Sequence, residues 1–181
     1  MQFQLQGRWI LFTVCLTALA FFLPWDSSLP TPQAAEHAEV NAPAPDFNLP
    51  TPEGKQVSLS SLRGKVVLLT FWAIWCNVCR EEMPMLESLH KKYRDKGLEV
   101  VGVNIDRDAR TSVQDYAKQH GLSFPMLLDQ ERKAMKVYRA HFLPTTYIVD
   151  RKGVIVDKKV GLHKWSSLES QSFLEELLKK R

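Results

Sequence analysis

Residues 71–84 read FWAIWCNVCREEMP. The chain has only three cysteines, and two of them, Cys76 and Cys79, stand three positions apart in this stretch. Thiols at that spacing form half of a zinc site, a small structural clip, or a dithiol that cycles between reduced and oxidised forms. The run just before them, VVLLTFW (66–72), is continuously apolar and β-branched, as expected of a strand buried on both faces. After them, Leu86, Leu89 and Tyr93 recur at helical spacing until Gly97. Cys76 therefore opens a helix at the end of a buried strand.

A helix N-terminus presents unpaired N–H groups and the positive end of the dipole, which favour a thiolate and lower the pKa of Cys76 from the free value. Cys79 sits inside the first turn, placed to attack a mixed disulfide formed at Cys76. An accessible nucleophile beside a shielded resolving thiol is the asymmetry that dithiol exchange requires. Zinc needs four ligands. The third cysteine, Cys15, lies in an apolar N-terminal run, and the histidines at 37, 90, 120, 141 and 163 show no paired spacing. A purely structural disulfide would close a very small loop and restrict the unfolded chain little. Redox cycling is the expectation, with no metal and no cofactor beyond the Cys76–Cys79 couple.

Beyond this stretch the pattern alternates. DFNLPTPEGKQVSLSSLRGK (46–65) predicts two short strands around a Pro-Glu-Gly turn. LEVVGVNI (98–105) predicts a second buried strand, residues 110–120 a helix stopped by Gly121, SFPMLL (123–128) a short strand, and ERKAMKVYRAH (131–141) another helix. TTYIVD and VIVDKKVG, joined by Arg151-Lys152-Gly153, predict a hairpin, and Leu168, Phe173, Leu174, Leu177 and Leu178 mark a closing amphipathic helix. That order implies an α/β fold with a mixed central sheet and helices on both faces.

Residues 9–25, WILFTVCLTALAFFLPW, carry no charge; Arg8 precedes them and Asp26 follows. A run of this length lies between a signal-peptide core and a full membrane span. Its only small-x-small pair at a suitable depth, Ala18-Leu19-Ala20, is buried in the run, so an uncleaved signal-anchor is expected rather than a cleaved signal peptide. Arg8 would hold the start in the cytoplasm and put the rest of the chain outside. Val14 before Cys15 argues against a lipid-modified cysteine. Seven of the ten prolines fall between Pro24 and Pro52, among Ala, Ser and Thr, the composition of a semi-extended tether. The expected organisation is a signal-anchor at 1–25, a Pro/Ala-rich tether at 26–44 and a redox domain at 45–181. The net charge of +4 is small and scattered, which excludes an extended nucleic-acid-binding surface.

Trp75-Cys76-x-x-Cys79 at a strand-to-helix junction resembles thioredoxin. The fuller wording W-A-x-W-C-x-x-C-R-x-E-x-P, with LPTTYIVD (143–150), is similar to the membrane-anchored TlpA/ResA-like branch of that superfamily, which is related to the redoxin and AhpC/TSA proteins. The resemblance runs from about residue 42 to the C-terminus. It implies a thioredoxin-like fold with an N-terminal β-hairpin and a central strand-helix insertion. It also implies a thiol–disulfide oxidoreductase acting as a reductant on exported cysteine-containing proteins such as apocytochrome c, fed by a membrane thiol donor. The setting implied is the bacterial inner membrane, with a single pass and the soluble domain on the periplasmic side.

The same resemblance assigns roles to individual residues. Pro144, in FLPTTY, falls where the fold carries a cis-proline facing the dithiol, with the backbone of Leu143 before it pairing with an extended substrate. Glu82, three residues after Cys79, corresponds to a glutamate that affects cysteine acidity and substrate choice, and a carboxylate there would raise a thiol pKa by repulsion or accept its proton. Glu81 points elsewhere on the helix, and Pro84 is expected to kink it. Trp72 and Trp75 supply packing and an apolar rim. Thr70 stands where thioredoxin carries a buried aspartate, so that proton acceptor is not available here. Asn77-Val78 replaces the proline-containing pair common between such cysteines.

Two other functions are weighed against exchange. A peroxiredoxin would need P-x-x-x-[TS]-x-x-C, and the chain has Leu69 and Ala73 at those positions. A copper- or haem-handling chaperone would combine Cys76 and Cys79 with a distant histidine such as His141 or His163.

Overall fold

The computed structural model describes residues 37–180. The expected signal-anchor, Cys15 and the first part of the tether lie outside those residues. Among the described residues no helix is long and apolar enough to cross a membrane.

β1 (Asn48–Pro50) and β2 (Gln56–Ser58) form a separate antiparallel pair. The main sheet contains β3 (Val66–Trp72), β4 (Leu98–Asn104), β5 (Met126–Leu128), β6 (Thr145–Val149) and β7 (Ile155–Val160), in the order β5-β4-β3-β6-β7. Pairing of β3 with β4 and of β4 with β5 is parallel; β6 runs antiparallel to both β3 and β7. The helices are α1 (Asn77–Tyr93), α2 (Arg110–Gln119), α3 (Lys133–Val137) and α4 (Leu168–Lys179). This is the mixed sheet flanked by helices that the pattern implied, in the thioredoxin-like form that the resemblance implied.

Every residue of β3 and β4 is buried, as the unbroken apolar runs require of central strands covered on both faces. Close approach matters at Gly102 on β4, where a Cβ would stand 2.7 Å from Met126 Sδ and 3.2 Å from Trp72 Nε1. On the far side of β3, Phe71, Tyr138 and Tyr147 pack as a ring cluster with centroids 5.1–6.4 Å apart. The hydroxyls of this cluster are satisfied by backbone: Tyr138 donates to Pro45 O at 2.5 Å and Tyr147 donates to Tyr138 O.

The expectation for the third helix changes. The helix expected over 131–141 is only Lys133–Val137. Arg132 and Arg139 sit at φ 56° and 47°, so the chain turns at both ends instead of continuing. Asp129 holds the start, accepting from Ala134 N at 3.3 Å and Met135 N at 2.7 Å, and the exit turn carries Tyr138 into the core. Pro84 lies inside α1, which runs unbroken from Asn77 to Tyr93. Proline cannot donate to the carbonyl of Arg80, but Arg80 and Pro84 share the exposed face, where water can satisfy it.

Residues 38–44, assigned to the tether from composition, belong to the folded unit. Ala38 N donates to Val137 O at 3.0 Å, Asn41 N to Ile155 O at 2.7 Å and Ala44 N to Gly153 O at 2.8 Å, while Ile155 N donates to Ala42 O at 2.9 Å. They cover the start of the β7 edge, which would otherwise offer unpaired backbone groups. A domain beginning at residue 45 should therefore be less stable than one beginning at 37, by about 2 kcal/mol after the ordering entropy offsets part of the four hydrogen bonds. Urea unfolding of the two lengths measures the difference, and equal midpoints would show that the segment adds nothing.

Candidate active site

The site lies at the C-terminal end of β3, where the chain passes through Ala73–Trp75 into α1. Asp106, just past β4, fixes this passage. Its Oδ2 accepts from Ile74 N at 2.7 Å and from Asn104 Nδ2 at 2.9 Å, and Asp106 N donates to Asn104 Oδ1 at 3.0 Å. Cys76 N donates to Ala73 O at 3.1 Å, closing the turn. Cys76 then acts as the N-cap of α1, with extended φ/ψ of −83° and 100°.

The two sulfurs are joined in a disulfide, with a Cα–Cα distance of 5.2 Å. The N–H of Cys79 points at the Cys76 sulfur, 3.2 Å away. Cys76 is 8% exposed and Cys79 fully buried. Both sulfurs are thus buried, and what distinguishes them is position: the Cys76 sulfur is faced by a helix-terminal N–H, and the Cys79 sulfur lies inside the first turn.

Glu82 is not a solvated helix residue. It is fully buried, one turn beyond Cys79 on α1, while Glu81 is exposed. Oε1 accepts from Trp165 Nε1 at 2.7 Å and from His163 N at 3.3 Å. Oε2 is buried without a protein partner. Burial lifts the carboxyl pKa to about 7 from an ordinary 4.5, against the pull of the Trp165 and His163 N–H groups. The molecule thus carries beside its dithiol a carboxyl able to gain or lose a proton near neutrality.

Thr70 lies in the sheet interior, where it accepts a hydrogen bond from Thr146 Oγ1 at 2.9 Å. These two residues are directly opposite in the β3–β6 register. Thr70 is therefore half of a satisfied cross-strand pair rather than a proton acceptor.

The Leu143–Pro144 bond is cis, as the resemblance implied. Thr145 pairs with Phe71, so Pro144 stands at the sheet end from which the dithiol loop departs. Leu143 is half-buried and Pro144 buried. Around this end the surface is apolar: Trp75, Val78, Phe142, Val160 and Leu162 are all exposed large side chains, Trp75 to 66% and Phe142 to 75%. Gly161 N donates to Pro144 O at 2.8 Å, which brings Val160 and Leu162 to the proline. Among the described residues no group of three His, Cys, Asp or Glu side chains is arranged to hold a metal ion. His141 is exposed, and the His163 ring is engaged with Ser170 Oγ at 2.8 Å.

Sequence reasoning missed Asp106, Trp165 and the apolar residues at 142, 160 and 162. Trp165 carried a faint signal, a lone tryptophan in the polar loop HKWSS. Its partner is 83 residues away, so spacing could not disclose the contact.

The model of the AhpC/TSA family matches residues 40–158. Among curated relatives, a thiol-disulfide oxidoreductase ResA of Bacillus cereus is 35% identical over 134 residues, covering 74% of this chain and 77% of that protein. The thioredoxin-like protein YneN of Bacillus subtilis (strain 168) is 44% identical over 135 residues, covering 73% and 78%. A crystal structure from Chlorobium tepidum, provisionally assigned as thiol:disulfide interchange protein DsbE, superposes with a TM-score of 0.72 at 30% identity, over 78% of this chain and 99% of that one.

Burial of Glu82 has a consequence for stability. Its pKa is raised in the folded state, so the stability it permits is fully present below about pH 4.5 and is lost as pH rises through about 7. The loss amounts to about 3 kcal/mol on full ionisation. Urea unfolding of the oxidised domain should show that decline between pH 5 and 8, and Glu82→Gln should remove it. Parallel declines in the two proteins would mean that Glu82 does not ionise in a buried environment.

Proposed function

The chain belongs to the AhpC/TSA family, in its TlpA/ResA-like thiol-disulfide oxidoreductase branch, and on that premise we propose that it reduces disulfides of exported proteins from the outer face of a bacterial inner membrane. The observation that carries the chemistry is the Cys79 N–H on the Cys76 sulfur, with the buried Glu82 carboxyl one turn further along the same helix.

In the reduced protein the Cys76 thiolate attacks a substrate disulfide, forming a Cys76–substrate bond and expelling the other substrate sulfur as a thiolate. Ionised Glu82 takes the Cys79 proton. The Cys79 thiolate attacks the Cys76 sulfur, closes the Cys76–Cys79 disulfide and releases the second substrate thiolate, to which the proton passes. Two electrons leave the dithiol and two substrate sulfurs are reduced. A membrane thiol donor restores the dithiol by the same exchange in reverse. A carboxyl with a pKa near the working pH suits both halves of that proton transfer.

The exposed rim of Trp75, Val78, Phe142, Val160 and Leu162 suits an extended polypeptide with apolar side chains flanking its cysteines. In the related proteins the backbone before the cis-proline pairs with such a substrate, and Leu143 holds that position here. The uncharged run at 9–25 behind Arg8 supports an anchored, outward-facing domain, and the TlpA/ResA-like resemblance of the motifs implies apocytochrome c among the substrates. A peroxidase is disfavoured by Leu69 and Ala73.

Two arms of one experiment on the full chain test this. Equilibration with glutathione should give a potential nearer the thioredoxin value of about −270 mV than the oxidising DsbA value of about −120 mV. In the bacterium, Cys79→Ser should retain exported cysteine-containing polypeptides as mixed disulfides through Cys76. A potential near the oxidising value would reverse the direction of electron flow, and exclusively cytoplasmic captures would contradict the location.

A further inference from the structure

The Glu82 carboxyl is held asymmetrically. One oxygen is pinned by an indole N–H and a backbone N–H; the other is buried and has no protein partner. Both donors come from the connection between β7 and α4. That connection is itself fixed at each end. Gly161 N is bound to Pro144 O, and Ser167 caps α4 by accepting from Ser170 N at 3.2 Å. Within it, the His163 ring meets the Trp165 ring edge-on at 4.6 Å and is tied to Ser170. Trp165 is 1% exposed.

The geometry points to Trp165 as the positioning residue of the proton-transfer step: its indole N–H holds Glu82 Oε1, stabilises the carboxylate and leaves Oε2 as the oxygen that carries the proton. This rests on the dithiol-exchange chemistry proposed above, and it assigns a role to a residue outside the Cys-x-x-Cys helix and the cis-proline strand.

The physical reason lies in two opposed effects. A carboxyl buried without donors stays protonated at neutral pH and cannot accept a proton from Cys79. A carboxyl given several donors ionises fully and cannot return one. A single charge-assisted bond to one oxygen, with weaker backbone support, keeps Glu82 between these limits. Few other groups act on it. On α1 the dithiol lies one turn earlier and Glu81 faces solvent. On the β7–α4 connection the His163 ring lies among Lys159 and Asp157 of β7 and Glu169 of α4, and its pKa is lowered by burial and by the Lys159 charge. Among the described residues no cation shares Glu82 with the indole.

A tryptophan that merely fills space would leave Glu82 titration untouched, and this separates the two roles. Carbon-13 NMR of the oxidised full chain, in which the disulfide-bonded cysteines do not titrate, follows the Glu82 carboxyl, identified by its loss in Glu82→Gln. The Trp165 indole N–H resonance should titrate with the same midpoint as Glu82 and stay flat in Glu82→Gln. In Trp165→Phe the Glu82 midpoint should rise by about one pH unit, a tenfold change in the proton equilibrium. An indole resonance that is flat in the wild type while Glu82 titrates would overturn the assignment, as would an unmoved Glu82 midpoint in Trp165→Phe. If Trp165→Phe does not fold, the wild-type indole titration alone decides. Disulfide-reductase turnover of the wild type and Cys76→Ser is measured alongside. Turnover that depends on Cys76 without co-titration sinks only the role of Trp165, whereas co-titration without turnover sinks the exchange chemistry instead.

Discussion

The bond from the Cys79 N–H to the Cys76 sulfur exists because β3 stops at Trp72 and α1 starts at Asn77. Four residues of passage leave Cys76 as the cap of the helix, its side chain the natural acceptor for the unpaired N–H groups of the first turn. Serine or aspartate commonly holds that position in a helix, and here a sulfur takes the place of the capping oxygen. The Asp106 carboxylate, bound to Ile74 N, keeps the passage from fraying. The burial of β3 on both faces fixes where it begins. Packing of the sheet interior and the placement of the Cys76 sulfur at the helix end are thus one constraint seen at two scales.

Thioredoxin places its proton-accepting carboxyl on the strand beneath the dithiol. In this chain the strand position is Thr70, whose hydroxyl is engaged across the sheet with Thr146. In the exchange proposed above, the carboxyl comes from the helix instead. The i, i+3 spacing from Cys79 puts Glu82 on the same helical face as the resolving thiol, pointing inward, where the β7–α4 connection supplies donors. A carboxyl on the helix rather than the strand is tied to the C-terminal part of the fold through Trp165 and His163. The same connection bonds to Pro144 O, so Glu82 and the proline share one support.

Much of this was legible in the sequence because it depends on local order. The unbroken apolar runs of β3 and β4 and the Cys-x-x-Cys at a strand-to-helix junction mark the central strands and the dithiol directly, while the thioredoxin-like fold and the role of the Pro in FLPTTY came from the family resemblance. The short α3 was not legible, because Arg132 and Arg139 adopt positive φ only to turn Tyr138 into a distant aromatic cluster. The folded role of residues 38–44 was hidden by proline- and alanine-rich composition, which does not disclose a partner strand more than a hundred residues later. Glu82 could be suspected from its place in the motif, but its burial depends on Trp165, at the other end of the chain.

The central claim is that the two thiols differ in acidity because one caps the helix and the other is shut inside its first turn. Alkylation of the fully reduced domain across pH 4 to 9, with each modified cysteine identified by mass spectrometry, tests it most directly. Cys76 should react first throughout and reach half its maximal rate below the free-thiol pKa of about 8.5, while Cys79 reacts only at higher pH. Equal rates at the two sites, or faster modification of Cys79, would contradict the account.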